Sequence, residues 1–260
     1  MQRRYFIHAG VGLGMSLLLS PIAAAAPLTV TWLGHMSFLF QDGKRRIFTH
    51  PFKSVGCNAG RPTPKPAADL VLVSSALLDE GFVANVPEAT PILSQPGSYN
   101  LLGMTFQGIR MAHDRSEGRR FGVNVAWRWQ QGGINILHLG GAAAPFLVEE
   151  RILMGRPDVA IVPVGGGAKA YNPEEAKSAI TSLNPRIVIP VHYRPAKADA
   201  AACDLQPLSD FLSLFPPDVV KRLNSNTASW TVAQLPQTLQ IVVFAETPAP
   251  LQRTTPPKRP

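Results

Sequence analysis

The chain reads as an α/β protein, with two β-sheets packed face to face and helices on the outer faces. Three observations carry this. Short apolar runs joined by tight turns fill the first half. Short apolar runs alternate with helical segments in the second. Hydrophobic residues make up 45% of the 260 and charged residues only 16%, which supplies a sizeable core and too little charge for disorder. The 21 glycines and 25 prolines call for many turns and short elements rather than long helices.

The elements follow in order. Leu28 to Leu33 is an apolar run ending at Gly34-His35. Ser37 to Phe40 and Arg45 to Thr49 flank Asp42-Gly43, a dipeptide suited to the positive φ angles of a tight hairpin. A Pro/Gly-rich loop spans Ser54 to Ala68, and Val71 to Val73 is a short buried strand. Pro91 to Leu93 and Leu101 to Met111 read as further strands. Val123 to Trp129 alternates as a strand does, turns at Gln130 to Gly133 and returns as Ile134 to Leu137, a second hairpin. Phe146 to Met154 has apolar residues at helical spacing, and Asp158 to Val162 is a strand.

Asn172-Pro173-Glu174-Glu175 opens a helix. An asparagine side chain can accept from a free N–H of the first turn, proline fits the first helical position, and the glutamates face the positive end of the dipole. This helix runs to Leu183 and leads into a strand from Arg186 to Ile189. Pro207 to Phe215 is a short helix, and Ser229 to Ala233 and Thr238 to Phe244 are the last strands. No linker divides the chain, so residues 27–246 form one domain.

Both ends have a different character. The formal net charge is +8, and part of it is Arg3 and Arg4 at one end and Arg253, Lys258 and Arg259 at the other. No Lys/Arg-rich helix or interleaving of aromatic with basic residues occurs, which argues against a nucleic-acid partner. Residues 1–25 combine Arg3-Arg4, the apolar run Val11 to Leu19 and a small-residue stretch from Ala23. That is the layout of an export signal of the twin-arginine type, cleaved after Ala25, which would place the mature protein in the periplasm or otherwise outside the cytoplasm. The alternative is an uncleaved anchor, for which the run is short. No other stretch is long and apolar enough to span a membrane. Residues 247–260 are Pro-rich and basic and read as a disordered tail. Cys57 and Cys203 are the only cysteines. An oxidising compartment permits one disulfide between them, and the alternative is two unpaired thiols.

The chemistry-bearing residues fall in a series of short segments. These are Thr31 to Ser37, Ile47 to Phe52, Asp69 to Gly81, Ala112 to Asp114 with Gly122 to Asn124, His138 to Gly141, Pro163 to Gly166 and Ile189 to Tyr193. In this order and spacing the set resembles the metallo-β-lactamase fold superfamily, an αββα four-layer sandwich of two mixed sheets. Within it, the set is most similar to the ascorbate-6-phosphate lactonase-like and N-acyl-phosphatidylethanolamine phospholipase-like branch. The resemblance covers roughly Thr29 to Phe215 and implies descent from hydrolases that activate water between two bridged ions.

The resemblance also implies where the ligands should fall. Where those enzymes carry His-x-His-x-Asp-His, this chain has Ser75, Leu77, Asp79 and Glu80. The first ion's site becomes Ser75, Leu77 and His113, and the bridging aspartate falls on Gly141. The second site keeps Asp79 and His192, with Glu80 replacing an imidazole. The implied centre is therefore eroded. It would hold one divalent ion (zinc, manganese or iron) on Asp79, Glu80 and His192 with His113 beside them, or none. If catalysis survives, water attacks an ester, lactone or phosphodiester in a small-molecule substrate, assisted by His113 or by His50, where the family usually has an aspartate. The alternative is a non-catalytic binding or scaffold protein that reuses the old cleft.

Each of these residues also has a plainer reading. His35 and His138 read as hydrogen-bonded residues near the site rather than ligands, Asp79 as the cap of a turn and Glu80 as a solvent-facing acid. Gly165-Gly166-Gly167 lacks the Gly-Lys-Ser/Thr ending of a phosphate loop.

Overall fold

The structure, a computed structural model, describes residues 26–196 and 198–246. Residues 1–25, read from sequence as an export signal, and residues 247–260, read as a disordered tail, lie outside the described residues. The first half contains β1 (Leu28–Gly34), β2 (Ser37–Gln41), β3 (Arg46–Thr49), β4 (Leu70–Leu72), β5 (Ile92–Leu93), β6 (Gly97–Leu101), β7 (Met104–Ala112) and β8 (Val123–Gln131). Then follow β9 (Ile134–His138), α1 (Val148–Met154), β10 (Val159–Pro163), α2 (Pro173–Leu183), β11 (Ile187–Val191), α3 (Leu208–Leu212), β12 (Val220–Arg222), β13 (Thr227–Trp230) and β14 (Gln240–Val243).

These strands build two mixed sheets. One has the order β13-β1-β2-β3-β4-β5, the other β12-β14-β11-β10-β9-β8-β7-β6. The inner faces meet through a cluster that includes Phe38, Phe40, Trp127, Trp129, Ile161 and Ile189. Phe40 and Trp129 interlock edge to face with ring centroids 5.0 Å apart. Trp127 is the largest wholly buried side chain, and its indole N–H donates to the Val73 carbonyl 2.9 Å away, tying one sheet to the other.

The helices pack on the second sheet. Ala176, Ile180 and Leu183 of α2, Met154 of α1 and Phe211 of α3 share a cluster with Ala160, Val162 and Val188. The outer face of the first sheet is covered by loops instead: Val83 and Val86 lie against Phe48, Val71 and Val73. The cap of α2 forms as its sequence requires. Asn172 Oδ1 accepts from the Glu175 N–H at 2.8 Å, and the Glu175 carboxylate accepts from the Asn172 N–H at 2.8 Å.

Some boundaries differ from the sequence reading. Leu101 to Met111 is not one strand but the end of β6, a turn and most of β7. Leu102 and Gly103 have φ of 55° and 69°, the pair of left-handed residues that a two-residue hairpin needs. Edge strand β12 was not foreseen. Its three residues are exposed or half-buried and carry two cations, so no apolar alternation announces it. Strand β13 begins two residues earlier than expected, and a short 3-10 turn at Val232–Gln234 replaces its predicted end.

Topology puts the motif segments together. β1, β3 and β4 run in one direction within the first sheet, and β7, β9, β10 and β11 share a direction within the second. Residues just past their carboxyl ends, from His35 through His50, Asp79 and His113 to His192, therefore emerge along one edge of the sandwich.

Candidate metal centre

Three of the edge histidines sit in left-handed backbone: His35 at φ 53°, His50 at φ 46° and His192 at φ 53°. This conformation is uncommon for a residue with a side chain and costs stability. Its recurrence at three strand ends marks an edge where the direction of the imidazole outranks local strain. At His35 the turn is pinned from outside, because the Trp32 indole N–H donates to the His35 carbonyl at 3.0 Å.

The edge side chains sort into three groups. In the first, His35, Asp79 and His192 bring one candidate ligand atom each to within 4.8 Å of one another. The two imidazoles meet edge to face, with centroids 4.5 Å apart. Both are buried, yet neither ring nitrogen of His35 has a hydrogen-bond partner in the protein, nor does Nδ1 of His192. Buried polar atoms without partners are costly, and here three lie beside a carboxylate with one ligand atom from each residue within 4.8 Å of the others, an arrangement that an ion would satisfy. Their protonation fits a cation. Burial pulls the His35 pKa down to about 4 and, aided by the neighbouring His35 charge, that of His192 down to about 3, which leaves both neutral at pH 7. Burial pushes the Asp79 carboxyl up, but the Lys169 ammonium paired with it outweighs this and keeps it below the ordinary range. Two neutral imidazoles and a carboxylate form a donor set that suits zinc, manganese or iron.

The second group is Glu80 with His113. Glu80 does not face solvent: it is 0% exposed. Its Oε2 accepts from the Ser74 hydroxyl at 2.7 Å, and its Oε1 lies 2.9 Å from His113 Nε2. That last contact is close but not aligned as a hydrogen bond. Burial raises the Glu80 carboxyl, but the charge and contact of His113 prevail and hold it below the usual carboxylate range. Gly141 makes room for this pair. A Cβ there would stand 2.2 Å from His113 Nε2 and 2.8 Å from Glu80 Oε2.

The third group is His50 with His138, whose rings stand edge to face at 4.0 Å. His138 is fully engaged: its Nε2–H donates to the Met36 carbonyl at 2.9 Å, and its Nδ1 accepts from the Gly140 N–H at 3.1 Å. His50 Nδ1 accepts from the Ser74 N–H at 3.1 Å, and its Nε2 has no partner in the protein.

These pairings give an acid-stability prediction. Burial lowers the His138 pKa to about 3 and holds His50 well below its usual 6.5. Both are neutral when folded and protonate readily when unfolded. Their contribution is complete above pH 6.5 and is lost as pH falls from there towards the folded values, at up to about 1.4 kcal/mol per pH unit for each histidine. Urea unfolding of chelator-treated protein should therefore show a markedly lower midpoint at pH 5 than at pH 7.5. Equal midpoints would refute the assignment.

Of the residues singled out by sequence, Asp79 and His192 come together in one group. Glu80 and His113 form a separate pair, and His50 joins His138. His35, read from sequence as a neighbour of the site, is the third member of the candidate ligand group. Its signal was the glycine before it: Gly34, at φ 106°, ends β1 and turns the chain inward. Lys169 and Asn58 were not singled out at all. Both line a cleft of about 260 Å³ with His35, Asp79 and His192. Asn58 is wholly buried, and its side-chain amide has no partner in the protein. The Cys57–Cys203 disulfide forms, and it ties two segments of the cleft wall across 146 residues of sequence.

Two mixed sheets with imidazoles and carboxylates gathered at one edge define a metallo-β-lactamase-fold protein. The chain belongs to the beta-lactamase superfamily, whose domain matches residues 29–192. It is 30% identical over 201 residues to a metal-dependent hydrolase of Thermus thermophilus, covering 66% of this chain and 88% of that one. Against a metal-dependent hydrolase of Thermococcus kodakarensis it is 30% identical over 193 residues, covering 63% and 84%. A crystal structure of a metallo-beta-lactamase superfamily protein from Thermotoga maritima matches with TM-score 0.65 and 26% identity, covering 84% of this chain and 98% of that one.

Proposed function

We propose that this chain is an exported hydrolase that works with one divalent ion, held by His35, Asp79 and His192, and acts on an ester, lactone or phosphodiester of a small molecule. The observation that carries the reading is the unpartnered, buried nitrogens of His35 and His192 converging with Asp79. A bound ion supplies an acidified water and polarises the bond under attack.

The chain's own residues do the rest. Burial keeps both imidazoles deprotonated, and Lys169 keeps Asp79 ionised. The cleft of about 260 Å³ suits a small substrate rather than a polymer. A second ion has no ligand at Gly141, and the space beside that residue is filled by Glu80 and His113. In this reading the two-ion centre is eroded to one. The Cys57–Cys203 bond supports the export reading, since such bonds persist in oxidising compartments.

A binding protein without turnover is the second reading. It is favoured by the Lys169–Asp79 ion pair, which supplies Asp79 with a cation from the chain itself. One experiment separates the two. Purified protein should hydrolyse generic p-nitrophenyl esters or bis-p-nitrophenyl phosphate. The rate should fall at least about a hundredfold with chelator and in His192→Ala, as loss of a direct ligand should cost no less than loss of its supporting shell. Binding without any chelator-sensitive turnover would favour the second reading.

A further inference from the structure

Lys169 keeps Asp79 ionised while no ion is bound. It lies in the loop between β10 and α2, 90 residues from Asp79, and its ammonium forms an ion pair with the Asp79 carboxylate. Both side chains are only about a quarter exposed, at 23% and 22%, so water screens the pair incompletely. The ammonium also stands 5.9 Å from the centre of the Phe121 ring, a second contact that fixes its place at the site.

Asp79 thus faces two cationic claimants. One is the ammonium. The other is an ion drawn to the unpartnered nitrogens of His35 and His192. A carboxylate already neutralised attracts a divalent ion less strongly, and the ammonium repels an incoming ion directly. The same cleft offers the ammonium another partner. Asn58, buried with its amide unpartnered, lines the cleft with Lys169, so an N–H donor and a positive charge are available there to an anionic group, opposed by the Asp204 carboxylate on the same wall.

We infer that Lys169 and a divalent ion compete for Asp79, and that the displaced ammonium binds an anionic group, carboxylate, sulfate or phosphate, in the same cleft. The inference rests on the metal reading above. It makes ion and anion mutually reinforcing, because each takes one half of the ion pair that opposes the other. Linkage then requires the anion to tighten the ion and the ion to tighten the anion by the same factor. The substrate class follows: a small molecule with an anionic group close to the scissile bond.

The test measures the Zn2+ dissociation constant by competition with a chromophoric chelator at constant ionic strength, in chloride and with sulfate added. Sulfate should tighten zinc binding to the wild type several-fold. Lys169→Met should bind zinc about ten-fold more tightly than the wild type in chloride and show no response to sulfate. Lys169→Arg, which keeps the charge, should resemble the wild type. Lys169→Gln serves as a second neutral variant should methionine disturb the loop.

Lys169→Met or Lys169→Gln binding zinc no more tightly than the wild type overturns the inference and leaves the metal reading standing. An undiminished sulfate response in those variants also overturns it, since sulfate would then sit on the ion itself. Failure of the wild type and every variant to bind zinc removes the metal reading and this inference together.

Discussion

Glu80→Ala is expected to lower the unfolding free energy by about 2–5 kcal/mol, the usual cost of emptying a wholly buried site and stripping the acceptor from a buried hydroxyl. Glu80 is wholly buried, as are Ser74 and His113 on either side of it. Its two oxygens are divided between them, 2.7 Å from the Ser74 hydroxyl and 2.9 Å from His113 Nε2. Alanine takes away both contacts and leaves the imidazole and the hydroxyl facing a void. Glu80→Gln keeps the volume and an acceptor for Ser74, so it should cost roughly half as much or less. Urea unfolding at pH 7.5 with an unchanged slope checks both values. A Glu80→Ala protein as stable as the wild type would mean that the pair is solvated.

The second large effect is at Gly141. Restoring the aspartate that the superfamily resemblance places there should not restore a two-ion centre; it should damage the fold. Even the first added carbon would stand 2.2 Å from His113 Nε2, well inside contact distance. Gly141→Ala should cost about 1–3 kcal/mol through overpacking. Gly141→Asp adds a second carboxylate beside Glu80, whose Oε2 lies 2.8 Å from that added carbon, and should cost about 4 kcal/mol or more. A Gly141→Asp protein of wild-type stability that binds an extra ion would show that Glu80 and His113 yield the space readily.

The two experiments bear on one idea. Glu80 faces the interior beside His113, and Gly141 is the residue that leaves room for the pair.

Much of the frame was legible because it depends on local chemistry. The Asp42-Gly43 hairpin, the alternation of β8 and the Asn172 cap each need only a few adjacent residues to agree. The β6–β7 turn was not legible. It places Leu102 in left-handed backbone, where Asn or Asp would have announced it.

The site was legible to the level of its edge and no finer. Motif order locates five histidines near one another but does not tell which face which. That depends on the left-handed turns at His35, His50 and His192. The carboxylates divide by a single residue: Asp79 points to the cleft and Glu80 to the interior. The Lys169–Asp79 pair spans 90 residues and has no local signature, and spacing alone could not decide between a Cys57–Cys203 bond and two thiols.

Metal content of the purified protein, measured by elemental analysis on ligand variants, tests the central claim most directly. One ion per chain is expected in the wild type. It should be lost in His35→Ala and Asp79→Ala and kept in Glu80→Gln, because the ion belongs to the cleft group and not to the buried pair. Two ions in the wild type, or one that survives His35→Ala and disappears in Glu80→Gln, would contradict the account.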